Sequence, residues 1–179
     1  TNETFSINMI SNVNLIGAGE ELTIVDAEQT NRVITMEYCD NNIITNLTIT
    51  GGQADEDYPE NNGGGVYLVS SNPTLNYVTI SNNTADGSGG SMHLDNSNPI
   101  LTNVTIANNT VSNRGGGMNL YYSNPTLNNM TISGNTAEWT GGGIYLSSSN
   151  PTLNNVTISN NTANYEGGGM FLYSSNPTL

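Results

Sequence analysis

"GGGIYLSSSNPTLNNVTISNNTA", Gly141–Ala163, decides the fold. Apolar residues in it alternate with polar ones: Ile144 and Leu146 flank Tyr145, and Val156 and Ile158 flank Thr157. Neighbouring side chains of a strand point to opposite faces, so these apolar residues share an inward face. Asn150-Pro151, Asn161 and the glycine triplet punctuate the stretch as turns. No spacing of three or four residues suggests a helix, and each strand is too short to bury a core alone.

The same sentence recurs. Pro73, Pro99, Pro125, Pro151 and Pro177 are 26 residues apart, as are the glycine runs that start at Gly63, Gly89, Gly115, Gly141 and Gly167. A fixed period of this size marks a solenoid, propeller or array, and a four-stranded propeller blade needs about 40 residues. Three short strands and three turns per 26 residues fit one coil of a parallel β-helix. Five inward columns follow. Val66, Met92, Met118, Ile144 and Met170 make the first, and Leu68, Leu94, Leu120, Leu146 and Leu172 the second. Leu75, Leu101, Leu127, Leu153 and Leu179 make the third. Val78, Val104, Met130 and Val156 precede the last, Ile80, Ile106, Ile132 and Ile158.

The asparagines before the prolines (Asn72 and its counterparts) and those of the "NT" pairs (Asn83, Asn109, Asn135, Asn161) are expected to take left-handed corners and to stack as amide ladders. The glycine triplets are expected at tight bends or where coils approach too closely for a Cβ. Neither a helix nor a P-loop lysine follows them, so they cradle no phosphate.

"NNIITNLTITGG", Asn41–Gly52, aligns with Asn72–Asn83 at an offset of 31, and the five extra residues fall in "QADEDYPENN". Residues 1–62 therefore read as irregular capping coils with an acidic loop at 53–62, and 63–179 as regular coils of one continuous domain. The final "SSNPTL" stops in mid-repeat, which suggests a segment of a longer chain.

Two blocks carry a resemblance. "NVNLIGAGEELTIVDAEQTNRVITM" followed by "NNIITNLTITGG" resembles the opening coils of right-handed parallel β-helix proteins of the pectate-lyase-like superfamily. "GGGI" or "GGGM" alternating with "ISNNTA" is similar to the repeats of chlamydial polymorphic outer-membrane proteins and related bacterial surface proteins, with Ile in place of their Phe. The resemblance implies an all-β, right-handed parallel β-helix, export, and a bacterial cell-surface or extracellular setting.

Charge narrows the partners. The chain has 15 acidic and 2 basic residues, a net charge of −13 and no lysine. Such a surface repels nucleic acid and anionic lipid, and no apolar run is long enough to enter a membrane. Cys39 is the only cysteine, so there is no intrachain disulfide, and it reads as a small buried hydrophobe.

Catalytic chemistry finds little to build on. The resemblance to polysaccharide lyases implies an Arg or Lys base with calcium, and the related hydrolases use carboxylates on neighbouring coils. Here Arg32 and Arg114 lie several coils apart, and Asp95 is matched by Val69 and Tyr121 in the adjoining coils. Arg114 reads as a solvated loop residue and His93 as an outward polar one, and the chain as non-enzymatic. No cofactor is expected. Asp55, Glu56, Asp57 and Glu60 form an oxygen-rich loop of the kind that suits calcium.

Specificity should lie where the repeat varies. The outward residues after the glycines read Tyr67 and Val69, His93 and Asp95, Asn119 and Tyr121, Tyr145 and Ser147, Phe171 and Tyr173. The loops before the glycines contribute Trp139 and Tyr165. Tyr121, Trp139, Tyr145, Tyr165, Phe171 and Tyr173 are thus the candidate ligand-binding residues, an exposed aromatic face for a cell-surface glycan or protein. The expected role is an adhesin-like binding module or an elongated spacer. The alternatives are a polysaccharide-degrading enzyme, a filament of neighbouring copies and, weakest, an ice-binding face. For the last, Thr79, Thr105, Thr131 and Thr157 make a regular row, but the adjacent Tyr77, Asn103, Asn129 and Asn155 break the grid.

Overall fold

A computed structural model describes residues 5–55 and 57–179. In it the 26-residue sentence becomes one coil of a parallel β-solenoid, stacked in about six turns, with no helix among the described residues. The first sheet contains Ile7–Asn8, Ile34–Glu37, Val66–Val69, Met92–Asp95, Met118–Tyr121, Ile144–Ser147 and Met170–Tyr173, in that order. The second contains Leu15–Ile16 and Ile24–Asp26, which share the next strand as partner, then Ile43–Thr50, Thr74–Ser81, Ile100–Ala107, Thr126–Ser133 and Thr152–Ser159. The third is a narrow ribbon of Gln53–Ala54, Thr84–Ala85, Thr110–Val111, Thr136–Ala137 and Thr162–Ala163.

Like stacks on like because the register equals the repeat. Met92 pairs with Val66 and Met118, and Leu94 with Leu68 and Leu120. The offset of 31 is also real: Leu75 pairs with Ile44, and Ala85 with Ala54. Val66 pairs with Met92 at 26, so the five extra residues do fall between Ala54 and Gly63.

All five inward columns line the interior, and most members are fully buried. The exceptions lie in the last coil of the sequence: Leu172 is 44% and Leu179 87% exposed, and Met170, Val156 and Ile158 are only partly covered. Burying such a side chain contributes about 1.5–3 kcal/mol, so each coil depends on the next one for its share of stability.

The asparagines divide the work differently from the sequence expectation. The left-handed backbone falls on Ser70, Asn96, Tyr122, Ser148 and Ser174 at one corner and on Asn82, Asn108, Gly134 and Asn160 at another. It does not fall on the Asn72 or Asn83 columns. The Asn83 column instead turns inward: the Nδ2 of Asn83, Asn109 and Asn135 donates to the Oδ1 of the next asparagine at 3.0, 2.9 and 2.9 Å. The backbone N–H of each donates to that same oxygen, so the preceding residue must make the bend. The Asn72 column forms an exposed ladder, in which Asn98 N–H donates to Asn72 Oδ1 at 2.6 Å.

A third ladder was not legible as such. Ser71, Ser97, Ser123 and Ser149 each donate a backbone N–H to the Oγ of the serine one coil on, at 2.9–3.0 Å. Cys39 occupies this column at its start, buried, with its N–H on Ser71 Oγ. In the glycine triplets the first residue carries φ of +64 to +73°, and a Cβ on Gly116 would strike the Thr136 carbonyl of the next coil.

Candidate functional site

The outer face of the first sheet is where the repeat stops repeating, and the solenoid turns those variations into a groove. Its floor is the outward column Tyr67, His93, Asn119, Tyr145 and Phe171, held in line by the pairing of Met92–Asp95 with its neighbours on either side. A second outward column, Asp95, Tyr121, Ser147 and Tyr173, forms one margin.

The opposite wall is built by the loops before the glycines. Ser88, Arg114, Thr140 and Glu166 are bridged coil to coil. Outside them, Trp139 N–H donates to Asn113 O and Tyr165 N–H to Trp139 O, each at 3.0 Å. The wall is thus fixed by backbone hydrogen bonds while its side chains remain at liberty to differ.

Two contiguous cavities occupy the groove. One, of about 320 Å³, is lined by Arg114, Trp139, Thr140, Tyr145, Ser147, Phe171 and Tyr173. The other, of about 300 Å³, includes Tyr58, Asn61, His93, Asp95, Asn119 and Tyr121 in its lining. Arg114, Tyr145 and Ser147 belong to both.

Flat side chains stack along the floor at the coil spacing. Tyr145 and Phe171 lie parallel, 5.5 Å between centroids and 4° between planes. Tyr67 and His93 stack at 5.4 Å, and the Arg32 guanidinium covers Tyr67 at 4.3 Å. Trp139 packs on Tyr165 at 5.8 Å, and Tyr121 meets Tyr122 edge-on at 4.5 Å.

Five of the six aromatic candidates therefore line the groove, and Tyr165 supports Trp139 from outside it. One expectation needs correcting. Tyr145 is only 8% exposed, because the wall and Phe171 enclose it; it is a floor residue and not an exposed one. Trp139, Tyr165 and Tyr173 are more than half exposed.

His93 points outward as expected, in register with Tyr67 and Asn119, but the groove shields it from water. It is half-buried; its ring hydrogen-bonds the Ser88 backbone, and its Nδ1 lies 3.0 Å from Asn119 Nδ2. Burial, aided by the Arg32 charge, lowers its pKa to about 4, so it is neutral at pH 7 and Nδ1 accepts the amide proton. Burial likewise pushes the Tyr67 phenol up to about 12.

Arg114 is exposed as expected, but its guanidinium lies 5.2 Å over the Tyr145 ring, inside the groove. His93, Asp95, Asn119 and Ser147 are groove positions that vary from coil to coil at outward sites, and so are visible in the sequence. Nothing in the strand pattern could have shown that Arg114 leans over the next coil.

Arg32 organises the acidic loop. Its Nη2 donates to Glu60 O at 2.8 Å and Asn62 O at 2.7 Å, and its Nη1 to Thr35 Oγ1 at 3.2 Å. Of the candidate calcium ligands, Asp55 accepts from Gln53 Nε2 at 2.7 Å, and Glu56 lies outside the described residues. Among the described residues no three His, Cys, Asp or Glu side chains cluster as a metal site.

Two groove residues hold polar atoms without partners: Asn61 Oδ1 and Thr140 Oγ1 are buried and unbonded. Buried polar atoms in folded proteins are ordinarily satisfied, by protein, by water or by what binds there.

A family model described as "Right handed beta helix region" matches residues 2–179. No curated protein and no solved structure matches the chain.

Proposed function

This chain belongs to the right-handed β-helix family, and on that scaffold we propose that the outer groove of the first sheet binds glycan. The fold alone says nothing of ligand or chemistry, so the proposal rests on the site. The observation that carries it is the combination of parallel Tyr145 and Phe171 rings with the exposed Trp139 and Tyr173 beside them. Flat amphipathic rings suit sugar faces, while Asn119, Ser147, Asp95 and Thr140 offer hydrogen bonds to hydroxyls.

Glycan is favoured over peptide by what the face lacks. The backbone groups of the first sheet are spent on coil-to-coil ladders, so this face exposes side chains only and gives an extended peptide no strand to pair with. In this reading the protein is a non-enzymatic binding module at a bacterial cell surface or outside the cell. The solenoid supplies a rigid support, and the variable positions of successive coils supply recognition.

Retention on a glycan array tests the proposal. Wild-type protein should bind a subset of oligosaccharides, and a Trp139→Ala, Tyr173→Ala double variant should lose at least tenfold in affinity while melting normally. Equal retention by both proteins would reject the groove as the site.

A further inference from the structure

The chain has two cations against 15 acids, and both guanidiniums lie on the face that carries the groove. They are used differently. Arg32 is 6% exposed and is held by the carbonyls of Glu60 and Asn62. Arg114 is exposed, stands in the wall between the two cavities, and faces the Tyr145 ring. No ion pair or side-chain hydrogen bond ties it to any described residue. In a chain so rich in carboxylates, a cation in a groove with no acid on it is placed for an acid that arrives from outside.

We infer that Arg114 is the specificity-determining residue of the groove, and that it selects saccharides bearing a carboxylate. This inference rests on the glycan-binding reading above. A guanidinium presents a planar fork of donors that matches a carboxylate through two parallel hydrogen bonds. The Tyr145 ring beneath it attracts the guanidinium and holds it in the groove while its donors stay open to a ligand. The net charge of −13 repels an acidic chain from the rest of the surface, so Arg114, the one exposed cationic side chain among the described residues, sets where the acid group sits.

The groove also has a direction. Asp95, neutral His93 and Asn119 line the cavity on one side of Arg114, whereas Trp139, Phe171 and Tyr173 line the other, and Tyr145 lies between them. Asp95 disfavours an acid group at its own end. The acidic sugar therefore lies over Tyr145, with hydroxyl-bearing units extending toward His93.

The test uses two probes of equal length: an oligosaccharide containing uronic acids, and the same oligosaccharide with its carboxyl groups reduced to alcohols. Titration calorimetry should show wild-type protein binding the acidic probe at least tenfold tighter than the reduced one. Arg114→Gln should abolish that preference by weakening the acidic probe alone, and Arg114→Lys should restore part of it. Equal affinity of wild-type protein for the two probes would overturn the inference while leaving glycan binding intact. So would an Arg114→Gln variant that weakens both probes equally, since the side chain would then act by packing. Failure of wild-type protein to bind either probe, or any neutral oligosaccharide, would remove the glycan reading and this inference with it.

Discussion

Tyr145 and Phe171 lie face to face, 5.5 Å between centroids and 4° from parallel, because their strands pair in register one coil apart. The scaffold thus sets the spacing of its own surface rings. Removing Phe171 leaves the Tyr145 ring uncovered, and such an aromatic pair contributes about 0.5–1.5 kcal/mol beyond buried area. Phe171→Ala should lower stability by about that amount or slightly more in urea unfolding, and should weaken glycan binding because the floor loses its flat end.

The inward amide ladder should be the costliest polar feature to break. Asn109→Ala strips the acceptor shared by the N–H and Nδ2 of Asn83, and removes the donor to Ile80 O and Asn135 Oδ1. Each buried group left unsatisfied costs about 1–3 kcal/mol. Chemical denaturation should register a loss of about 3 kcal/mol or more. An equivalent change in the exposed ladder, Asn98→Ala, should cost less than about 1 kcal/mol because water replaces the lost bond.

Cys39 should tolerate serine. It sits at the head of the serine ladder, donates its N–H to Ser71 Oγ, and turns Sγ toward Glu37 O, two residues back, as each ladder serine does. Cys39→Ser should change the melting temperature by no more than a few degrees. Cys39→Val has no donor for that carbonyl and should be the more damaging of the two.

His93 gives the fold a pH dependence of known sign. Its folded pKa of about 4 lies below the unfolded value near 6.5, so the unfolded chain binds more protons between those limits. Its contribution is fully present above pH 6.5 and is lost as pH falls toward 4, amounting to at most about 3 kcal/mol. Because the acidic residues titrate over an overlapping range, the readout is a difference. Wild-type stability minus that of His93→Asn should decline from pH 7 to pH 4, and a flat difference would contradict the burial of a neutral ring.

How much of this was legible in the sequence depends on periodicity. The columns of Leu94, Val104 and Ile106 could be read because strand alternation and a 26-residue period leave one arrangement that buries them. The groove aromatics could be read because Trp139 and Phe171 break the repeat at outward positions. Other features were not legible, since they depend on how a side chain leans. Asn82 and Asn83 are the same residue type, and only the structure shows one bending the chain and the other entering the core. Arg114 reaching over Tyr145 and Arg32 gripping the acidic loop are contacts between coils, beyond any pattern within one coil.

Glycan binding in this groove has a built-in reporter. Trp139 is the only tryptophan of the chain, is 53% exposed, and lies in the groove wall. Titration with an oligosaccharide retained on the array should shift its fluorescence to shorter wavelength in a saturable curve whose midpoint equals the affinity found by calorimetry. Calorimetric binding that leaves the Trp139 emission unchanged would place the ligand elsewhere and rule out this groove as the glycan site.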